Sequence, residues 1–597
     1  MMQSTIGLLE KLRPPTGFKT VAALGTTYSA DLLACMAVLT TMDGSDTEQL
    51  CYGRVEAYRA LDRLRDKVRI CYHAGRLSRR DGQKYPSLAL LDRIVAPIRL
   101  SGRRSFHPKV WLVRQIDNMS RERFVLVVSS RNITTSMDWD LGIALEGSLE
   151  GGGVTLPRVR AFAEHVLGLA GEVDRLSTLG KLDDVRWRLP PHVRQLAFDF
   201  QAGGADSQQL HSEWGTFTAK PSRVLLLSPF IDERMVEEAA ARWRHVRTRR
   251  LIAGREGLRS VALGPKRRAL QVLEPREMVA ASEAADPPEA EAGETSEYEI
   301  EQVRALHAKV IAIEDGRRAT VIVGSNNLTG PGWCGGNTEA YVRLVGDASI
   351  CDALWDWAGA QAQVFDFPEL GTPQSPPDIL EQMRSKLHAV LFRLEDPGAG
   401  APSRLVMLDP PKLQLPEGVR MEVARYTTPR DAVSFPSDSS TVSIPACTPA
   451  LRTCFVVCTL RCGDDETAWI AAATLDPPLG DERDRELAAQ LLGLREFLAY
   501  LQSLRSDETI LGIVEGDSRD NNTGEPPRDP QARLVDSVSL EGLLRQLVAD
   551  PEAFHEMDLT VIRYGELIKM GQLSRNEREL LADFLKAWGV IREAFSR

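Results

Sequence analysis

The feature that most constrains the fold of this chain is a pattern that occurs twice. His107-Pro-Lys109 is followed by Asn132, and His307-Ala-Lys309 is followed by Asn327, so the two copies begin 200 residues apart. Each copy is preceded by an apolar, β-prone segment and then a helix, which Ser29 or Asp31 can cap in the first copy and Asp232 in the second. Aligning Tyr28 with Phe230 gives an offset of 202 residues. A repeat of this length indicates a duplicated domain rather than an array of short repeats. Alternating strands and helices predict an α/β fold in each copy.

The length of 597 residues is too great for one hydrophobic core. We predict a first lobe over residues 1–200 and a second over residues 205–372. Residues 371–377 are rich in proline and predict a linker. Beyond them, the pattern predicts an α+β accessory domain over 378–510, with helices over 379–392 and 485–504, and a helical region over 535–597.

Composition indicates a soluble globular protein, with 43% apolar and 26% charged residues and no apolar run long enough to span a bilayer. The first residues show no signal-peptide pattern, and nine scattered cysteines suit a reducing compartment, so we expect a cytoplasmic protein. The net charge of −10 argues against a uniformly basic surface. Basic residues nevertheless cluster over 54–131 and 242–268, which fits either solvated faces or an anion site.

The hairpin geometry places each asparagine beside the histidine of its own copy. Residues i and i+2 of a strand share a face, so each histidine projects with the lysine two positions later. If His107 opposes Asn132, the turn falls near residues 119–120. If His307 opposes Asn327, it falls at Arg317. Both positions lie in polar, turn-forming stretches, which supports this register.

An acidic residue follows each asparagine at the start of an apolar strand. Asp140 opens residues 140–145 and Glu339 opens residues 339–344. A carboxylate in this position can accept the Nδ1 proton of an imidazole and set its tautomer.

These residue types suit phosphoryl transfer. One imidazole can attack phosphorus while the other protonates the leaving oxygen and then activates water. The lysines and asparagines can neutralise the equatorial oxygens. A lone His-x-Lys is usually a chance match, but two copies with matched asparagines and carboxylates favour function.

The two copies resemble the HxK…N…(E/D) half-sites of the phospholipase D superfamily, in a member that carries both halves in one chain. The resemblance covers residues 15–370 and implies duplicated α/β/α sandwich lobes whose half-sites meet in one cleft. It further implies a phosphohistidine intermediate and no metal or other cofactor. By resemblance His107 is the nucleophile and His307 the general acid, whereas the residues alone do not rank them.

The first copy departs from the phospholipase form, which has an aspartate five residues after the lysine and a Gly-Ser pair before the asparagine. It has Arg114 and Ser129-Ser130, whereas the second copy has Glu314 and Gly324-Ser325. These departures are similar to those of tyrosyl-DNA phosphodiesterases and some nuclease members. They shift the expected substrate from lipid towards nucleic acid.

The catalytic prediction comprises His107, Lys109, Asn132, Asp140, His307, Lys309, Asn327 and Glu339. The predicted substrate-binding residues are Ser130, Arg131, Ser325, Arg103, Arg104 and Trp333, the last by stacking on bases, with packing as the open alternative. The remaining histidines, including His73 and His165, are interpreted as ordinary core or surface residues. Cys447, Cys454, Cys458 and Cys462 lack a CxxC spacing and favour buried thiols over a zinc site.

We predict a nuclease acting on DNA, with RNA as the alternative, and working with a helicase or another protein of a prokaryotic defence system through the C-terminal region. Two other classes stay open. A phospholipase D or phosphatidyltransferase needs an interfacial apolar segment, and none is evident, so we expect no membrane partner. A non-catalytic nucleic-acid-binding module would not need both histidines.

Overall fold

The computed structural model describes residues 8–44, 54–78, 86–102, 104–136, 138–203, 221–260, 270–276, 305–365, 379–387, 390–398, 400–408, 415–480, 483–484, 486–487, 558, 561–562, 565 and 573–595. Among these residues, no helix combines the length and the apolar character needed to cross a membrane.

The first lobe is built on a seven-stranded sheet. Its strands are β1 (Phe18–Thr27), β2 (Val68–His73), β3 (Val95–Ile98), β4 (Val110–Asp117), β5 (Glu122–Ser129), β6 (Gly142–Ser148) and β7 (Arg186–Trp187). Its helices are α1 (Leu32–Asp43), α2 (Arg54–Leu64) and α3 (Arg158–Ala170). The strand order is β3-β2-β1-β4-β5-β6-β7. Helices α1 and α2 cover one face of this sheet and α3 covers the other.

The second lobe has an eight-stranded sheet with the same central order. Its strands are β8 (Val193–Gln201), β9 (Arg223–Ser228), β10 (Thr248–Ala253), β11 (Gln271–Pro275), β12 (Val310–Glu314), β13 (Arg318–Gly324), β14 (Glu339–Asp347) and β15 (Ala362–Val364). Its helices are α4 (Glu233–Arg242), α5 (Arg255–Ser260), α6 (Gly330–Trp333) and α7 (Asp352–Gln361). The order is β15-β11-β10-β9-β12-β13-β14-β8.

The central six strands of the two sheets correspond, with three parallel strands followed by an antiparallel meander. The duplicated α/β/α architecture predicted from the sequence is therefore confirmed. Strand β8 pairs with β14, so the chain joins the second sheet from Val193. The alternating burial of β8 allows Phe198 and Phe200 to pack between the lobes, together with Ala340 and Val342.

Helix starts follow from aspartate caps, as the sequence indicated. The Asp31 carboxylate accepts from the backbone N–H groups of Leu33 and Ala34, and α1 runs to Asp43. Asp232 likewise accepts from the N–H of Met235 at the start of α4. The cap satisfies N–H groups that have no partner inside the helix.

A third unit, which we call the sandwich (residues 379–476), follows the lobes. It consists of α8 (Ile379–Leu387), β16 (Leu391–Glu395), β17 (Ser403–Leu408), β18 (Val419–Arg425), β19 (Val433–Ser434), β20 (Thr441–Ile444), β21 (Phe455–Cys462), β22 (Asp465–Ala472) and β23 (Thr474–Asp476). The sheets β20-β17-β16-β23 and β19-β18-β21-β22 share one apolar core with α8. The helix predicted up to Phe392 thus ends at Leu387, because Leu391 begins a strand.

Further helical elements in the described part of the chain include α9 (Arg575–Phe595) and short 3-10 helices at Leu8–Leu12, Pro86–Arg93, Val173–Leu179, Ala348–Cys351, Pro429–Asp431 and Pro449–Leu451. Helix α9 lies within the predicted C-terminal helical region. The predicted linker 371–377 and most of the predicted helix over 485–504 lie outside the described residues.

The sandwich packs directly on the first lobe. Leu77 of the lobe forms a β-bridge with Ile470 of the sandwich, and both side chains are fully buried. Arg483, just beyond the sandwich, pairs with Asp92 of the lobe at 2.6 Å. Phe455 and Val457 of the sandwich belong to the same core as α1. The two units therefore share a core, which favours a fixed arrangement.

Candidate active site

The two histidines lie where the lobes meet, just ahead of strands β4 and β12. The backbone N–H of His107 donates to the Thr338 carbonyl at 2.9 Å, and Thr338 donates back to Ser105 at 2.9 Å. The second lobe repeats this contact. The N–H of His307 donates to the Trp139 carbonyl at 2.9 Å, and Trp139 donates to Ala305 at 2.7 Å. Each histidine segment is thus bonded to the segment of the other lobe that carries the carboxylate.

As a result, each imidazole is paired with the carboxylate of the opposite lobe. Nδ1 of His107 lies 2.9 Å from Oε2 of Glu339, and Nδ1 of His307 lies 3.0 Å from Oδ1 of Asp140. An ionised carboxylate only accepts, so Nδ1 carries the proton in both rings and Nε2 is left for chemistry. The sequence placed these carboxylates correctly but could not show that the pairs are crossed.

Two serines hold the carboxylates in place. The Ser130 hydroxyl donates to Asp140 at 3.2 Å and accepts from the N–H of Leu141. Ser325 makes the equivalent bonds to Glu339 and Ala340. Both serines are 0% exposed. In the structure each hydroxyl is buried and orients a carboxylate, and the predicted role of these serines in substrate binding stays a prediction.

Asp140 is the carboxylate whose ionisation is most clearly affected by the site. Burial raises the pKa of Asp140, but the hydrogen bond from His307 opposes this effect. The nearby positive charges of Arg131 and Lys309 act in the same direction as that bond. The net result is a pKa below the ordinary value for aspartate, which keeps this carboxylate ionised beside the imidazole.

Each lysine places its ammonium beside the histidine of its own copy. Nζ of Lys109 donates to the His107 carbonyl at 3.0 Å, and Nζ of Lys309 donates to the His307 carbonyl at 2.9 Å. Nζ of Lys309 also lies 3.5 Å from Nε2 of His307. Both lysines are 2% exposed, so their charges act in a poorly solvated setting, where they attract an anion more strongly.

The hairpins carry the asparagines close to the predicted register. Val110 pairs with Val128 and Val310 with Val323, which is within one residue of the pairing expected for each histidine and asparagine. Oδ1 of Asn132 lies 3.4 Å from the Thr27 hydroxyl, which donates to the Ser29 carbonyl at 2.7 Å. The asparagine thus lies at the end of β1, where its amide N–H groups can donate to a phosphoryl oxygen.

The lobe alignment differs by one residue from the predicted one. Thr27 accepts from the N–H of Ile133, and Ser228 accepts from the N–H of Leu328. These equivalent bonds give an offset of 201 residues at this point, so Tyr28 corresponds to Pro229. The alignment of Tyr28 with Phe230 is therefore wrong.

Arg131 provides an accessible cation at the site. Its side chain is 41% exposed, and its Nη1 lies 3.9 Å from Oδ2 of Asp140. The equivalent residue of the second lobe, Asn326, is buried and donates to the Gly332 carbonyl at 2.8 Å. The half-sites thus differ in charge at matched positions, a difference that is visible in the sequence once the serines are aligned.

The other predicted substrate-binding residues lie in different surroundings. Trp333 is 3% exposed and packs against Tyr341 in the core of the second lobe, so its ring offers no face for stacking. Arg104 is partly buried and donates to the Ser101 carbonyl at 3.0 Å. Arg103 lies outside the described residues. Trp139 makes an edge contact with Trp357 across the lobe interface, with ring centroids 6.0 Å apart.

Many arginines of the first basic run are engaged in ion pairs. They pair with acidic residues as Arg59–Asp43, Arg69–Glu172, Arg93–Asp484, Arg114–Glu122 and Arg123–Glu146. Basic clustering in the sequence therefore reflects structural pairing to a large extent and is weak evidence for an anion site.

The departure at Arg114 has a structural explanation of the same kind. Arg114 binds Glu122 on the neighbouring strand, and Glu314 of the second lobe binds Arg223. Both positions lie five residues beyond the lysine, which in a strand corresponds to about 17 Å. The identity of this residue therefore says little about the substrate.

His73 is a site neighbour that the sequence reasoning missed. It ends β2, is 4% exposed, and stacks on Tyr28 with ring centroids 5.3 Å apart. Tyr28 in turn contacts the His107 ring edge-on at 5.1 Å. The available signal was its place at the end of the strand parallel to β1, where side chains gather at the carboxyl edge of a sheet.

Among the described residues, no three His, Cys, Asp or Glu side chains are grouped closely enough to hold a metal ion. The eight described cysteines are all free thiols. Burial raises the pKa of the Cys454 and Cys458 thiols far above the ordinary value, which fits the interpretation of these residues as inert core side chains.

No protein-family model matches the chain, and no curated protein matches it. Among solved structures, it is similar to yeast tyrosyl-DNA phosphodiesterase, at 12% identity and a TM-score of 0.35, over 56% of this chain and 84% of that one. Phosphatidylserine synthase from Haemophilus influenzae matches at 13% identity and a TM-score of 0.38, over 64% and 89%. Polyphosphate kinase from Porphyromonas gingivalis matches at 11% identity and a TM-score of 0.32, over 64% and 52%.

Proposed function

We propose that this chain is a phosphodiesterase of the phospholipase D superfamily, with one site assembled from both lobes. The observation that carries the proposal is the pair of crossed contacts, His107 with Glu339 and His307 with Asp140. Each imidazole has its Nδ1 proton held by a buried carboxylate and a lysine ammonium nearby. This is the arrangement that an imidazole needs to act as nucleophile or as general acid and base.

The reaction proceeds in two displacements. In the first, Nε2 of His107 forms a bond to phosphorus, the bond to the leaving oxygen breaks, and the Nε2 proton of His307 passes to that oxygen. In the second, neutral His307 takes a proton from water, the water oxygen bonds to phosphorus, and the phosphorus–nitrogen bond breaks. The order of roles follows the family resemblance.

The opposite carboxylates stabilise the charged forms of the rings. Glu339 faces the positive charge that develops on His107 in the phosphohistidine, and Asp140 faces the imidazolium form of His307. Lys109, Lys309 and the asparagine amides stabilise the equatorial oxygens of phosphorus in both steps. The chain's own cations thereby supply the charge stabilisation that the reaction requires.

For the substrate we propose DNA, with RNA as the alternative. The half-exposed Arg131 guanidinium supports this choice, because it offers a planar, charged donor for a second phosphate next to the site. A role in a prokaryotic defence system together with a helicase or another protein is the finer proposal, and it rests on the family resemblance alone.

The test is incubation with end-labelled single-stranded DNA, double-stranded DNA, RNA and phosphatidylcholine vesicles, all in excess EDTA. Wild-type protein is expected to cleave nucleic acid, and His107→Ala and His307→Ala are each expected to lose at least about a thousandfold in kcat. His165→Ala is the matched control, because His165 is a partly buried histidine that contacts Phe200 away from the site.

Trapping the intermediate adds a second measurement. An acid-labile adduct between the protein and a labelled DNA fragment is expected to accumulate in His307→Ala and to be absent in His107→Ala. Full activity in both histidine variants, or cleavage that requires Mg²⁺, contradicts the mechanism. Cleavage of phosphatidylcholine without cleavage of nucleic acid contradicts the choice of substrate.

A further inference from the structure

The two half-sites are not equivalent, and the difference lies beside His107. The N–H of His73 donates to the Tyr28 carbonyl at 3.1 Å, and the N–H of Gly254 donates to the Pro229 carbonyl at 3.3 Å. These matching bonds show that His73 and Tyr28 of the first lobe correspond to Gly254 and Pro229 of the second. The first lobe thus carries an imidazole and a phenol ring at the two positions where the second lobe has a glycine and a proline.

His73 contacts the segment that carries His107 in two ways. Its Nδ1 accepts a hydrogen bond from the backbone N–H of Phe106 at 3.2 Å, directly before His107. Its ring also stacks on Tyr28, at 5.3 Å and an interplanar angle of 15°. Tyr28 meets the His107 ring edge-on at 5.1 Å and 61°. An Nδ1 that accepts is unprotonated, so in neutral His73 the proton lies on Nε2.

This support is important because His107 lies outside the regular hydrogen bonding of the sheet. Strand β4 begins only at Val110. The segment before it is held on one side by the Thr338 bridge and on the other by His73. Phe106 is 0% exposed, so loss of the His73 acceptor would leave a buried N–H without its hydrogen-bond partner.

We propose that His73 is a positioning residue for His107, acting through the hydrogen bond that it accepts from the Phe106 N–H. It fixes the direction of the His107 Nε2 atom relative to phosphorus, while Glu339 fixes the tautomer from the other side. The second lobe lacks this device, so His307 depends on Asp140 and the lobe bridge. The inference rests on the proposed phosphodiesterase function.

The kinetic test compares His73→Phe with His73→Asn. Phenylalanine retains a ring that can stack on Tyr28 but has no acceptor, whereas the Asn Oδ1 atom occupies nearly the place of the imidazole Nδ1. With bis(p-nitrophenyl) phosphate in EDTA, His73→Phe is expected to lower kcat by about 10- to 100-fold. KM should stay within about twofold, because the substrate contacts are unchanged.

His73→Asn is expected to recover most of the lost kcat, and His165→Asn should behave as wild type. Equal activity of His73→Phe and wild type overturns the inference. A loss in His73→Phe that His73→Asn does not rescue also overturns it, because packing alone would then explain the defect.

A measurement without substrate separates this inference from the proposed function. Hydrogen exchange at the Phe106 amide is expected to accelerate by at least about tenfold in His73→Phe and to stay slow in His73→Asn and His165→Asn. Slow exchange in His73→Phe overturns the positioning role. Wild-type protein that cleaves no phosphodiester contradicts the proposed function, and the exchange result then still decides whether His73 holds the segment.

Discussion

The crossed carboxylates give the most specific prediction, for which the change is Glu339→Gln. Glu339 is 0% exposed and meets three donors: Nδ1 of His107 at 2.9 Å, the Ser325 hydroxyl, and Nδ2 of Asn337 at 3.1 Å. Glutamine has the same shape, but one of its two terminal atoms is a donor. Whichever way the amide is placed, its NH₂ group faces at least one of these donors.

The expected fall in kcat follows from the loss of the charged hydrogen bond between Glu339 and His107. A hydrogen bond to a charged group contributes about 1.5–3 kcal/mol. Each ~1.4 kcal/mol in the barrier corresponds to tenfold in rate. Since Glu339 stabilises the charge that develops on His107 only during reaction, we expect kcat to fall by about 10- to 150-fold with little change in KM.

The assay is steady-state hydrolysis of bis(p-nitrophenyl) phosphate and of a labelled DNA oligonucleotide, both in EDTA. Glu314→Gln is the matched control, because Glu314 is a buried glutamate of the same lobe that pairs with Arg223 far from the site. The control is expected to retain wild-type kcat when folded. Wild-type kcat in Glu339→Gln, with His107 still essential, would refute the reasoning.

Three further predictions concern stability. The pKa of Asp140 is lowered, so its ionised form stabilises the folded protein at neutral pH, and this contribution declines as the pH falls below the ordinary aspartate pKa. The difference in melting temperature between wild type and Asp140→Asn should therefore narrow below about pH 4. A constant difference from pH 7 to pH 3 would contradict this prediction. Arg483→Ala breaks the ion pair with Asp92, whose side chains are 2% and 0% exposed, and should lower the free energy of unfolding in urea by about 3–5 kcal/mol. The control Arg461→Ala removes exposed ion pairs and should cost at most about 1 kcal/mol. Equal effects of the two substitutions would contradict the importance of the buried pair. Gly324→Ala places Cβ 2.3 Å from the Ala340 carbonyl oxygen and should prevent correct packing of β13 on β14. Gly359→Ala has no atom within 4 Å of the added Cβ and should stabilise α7 by about 0.5–1 kcal/mol. Soluble yield and thermal unfolding of the two variants test both predictions.

The sequence was sufficient for features that depend on short-range geometry. Alternation in β-strands places each histidine with its lysine, and turn-forming residues set the hairpin register to within one residue. Aspartate caps indicated where α1 and α4 begin. These results follow from local sterics and backbone hydrogen bonding, which act over a few residues in any context.

The burial of individual side chains was harder to predict from the sequence. Trp333 and the two serines stand close to the asparagines in sequence, yet the Trp333 ring lies in the core and both hydroxyls point to carboxylates. Basic residues around the first motif suggested an anion site, but many of them pair with acidic residues distant in sequence, such as Asp484 for Arg93. A residue type says which contacts are possible, whereas the packing of the layers decides which are made.

The sequence by itself determined that two copies of a His-x-Lys hairpin exist, that each has an asparagine and a carboxylate, and that an α/β lobe surrounds each. Only the tertiary structure decided that Glu339 serves His107 and Asp140 serves His307, across 232 and 167 residues. It also placed His73 behind His107. The reason is physical: strand periodicity fixes which side of a sheet a residue faces, but the docking of one sheet against another fixes what it meets there.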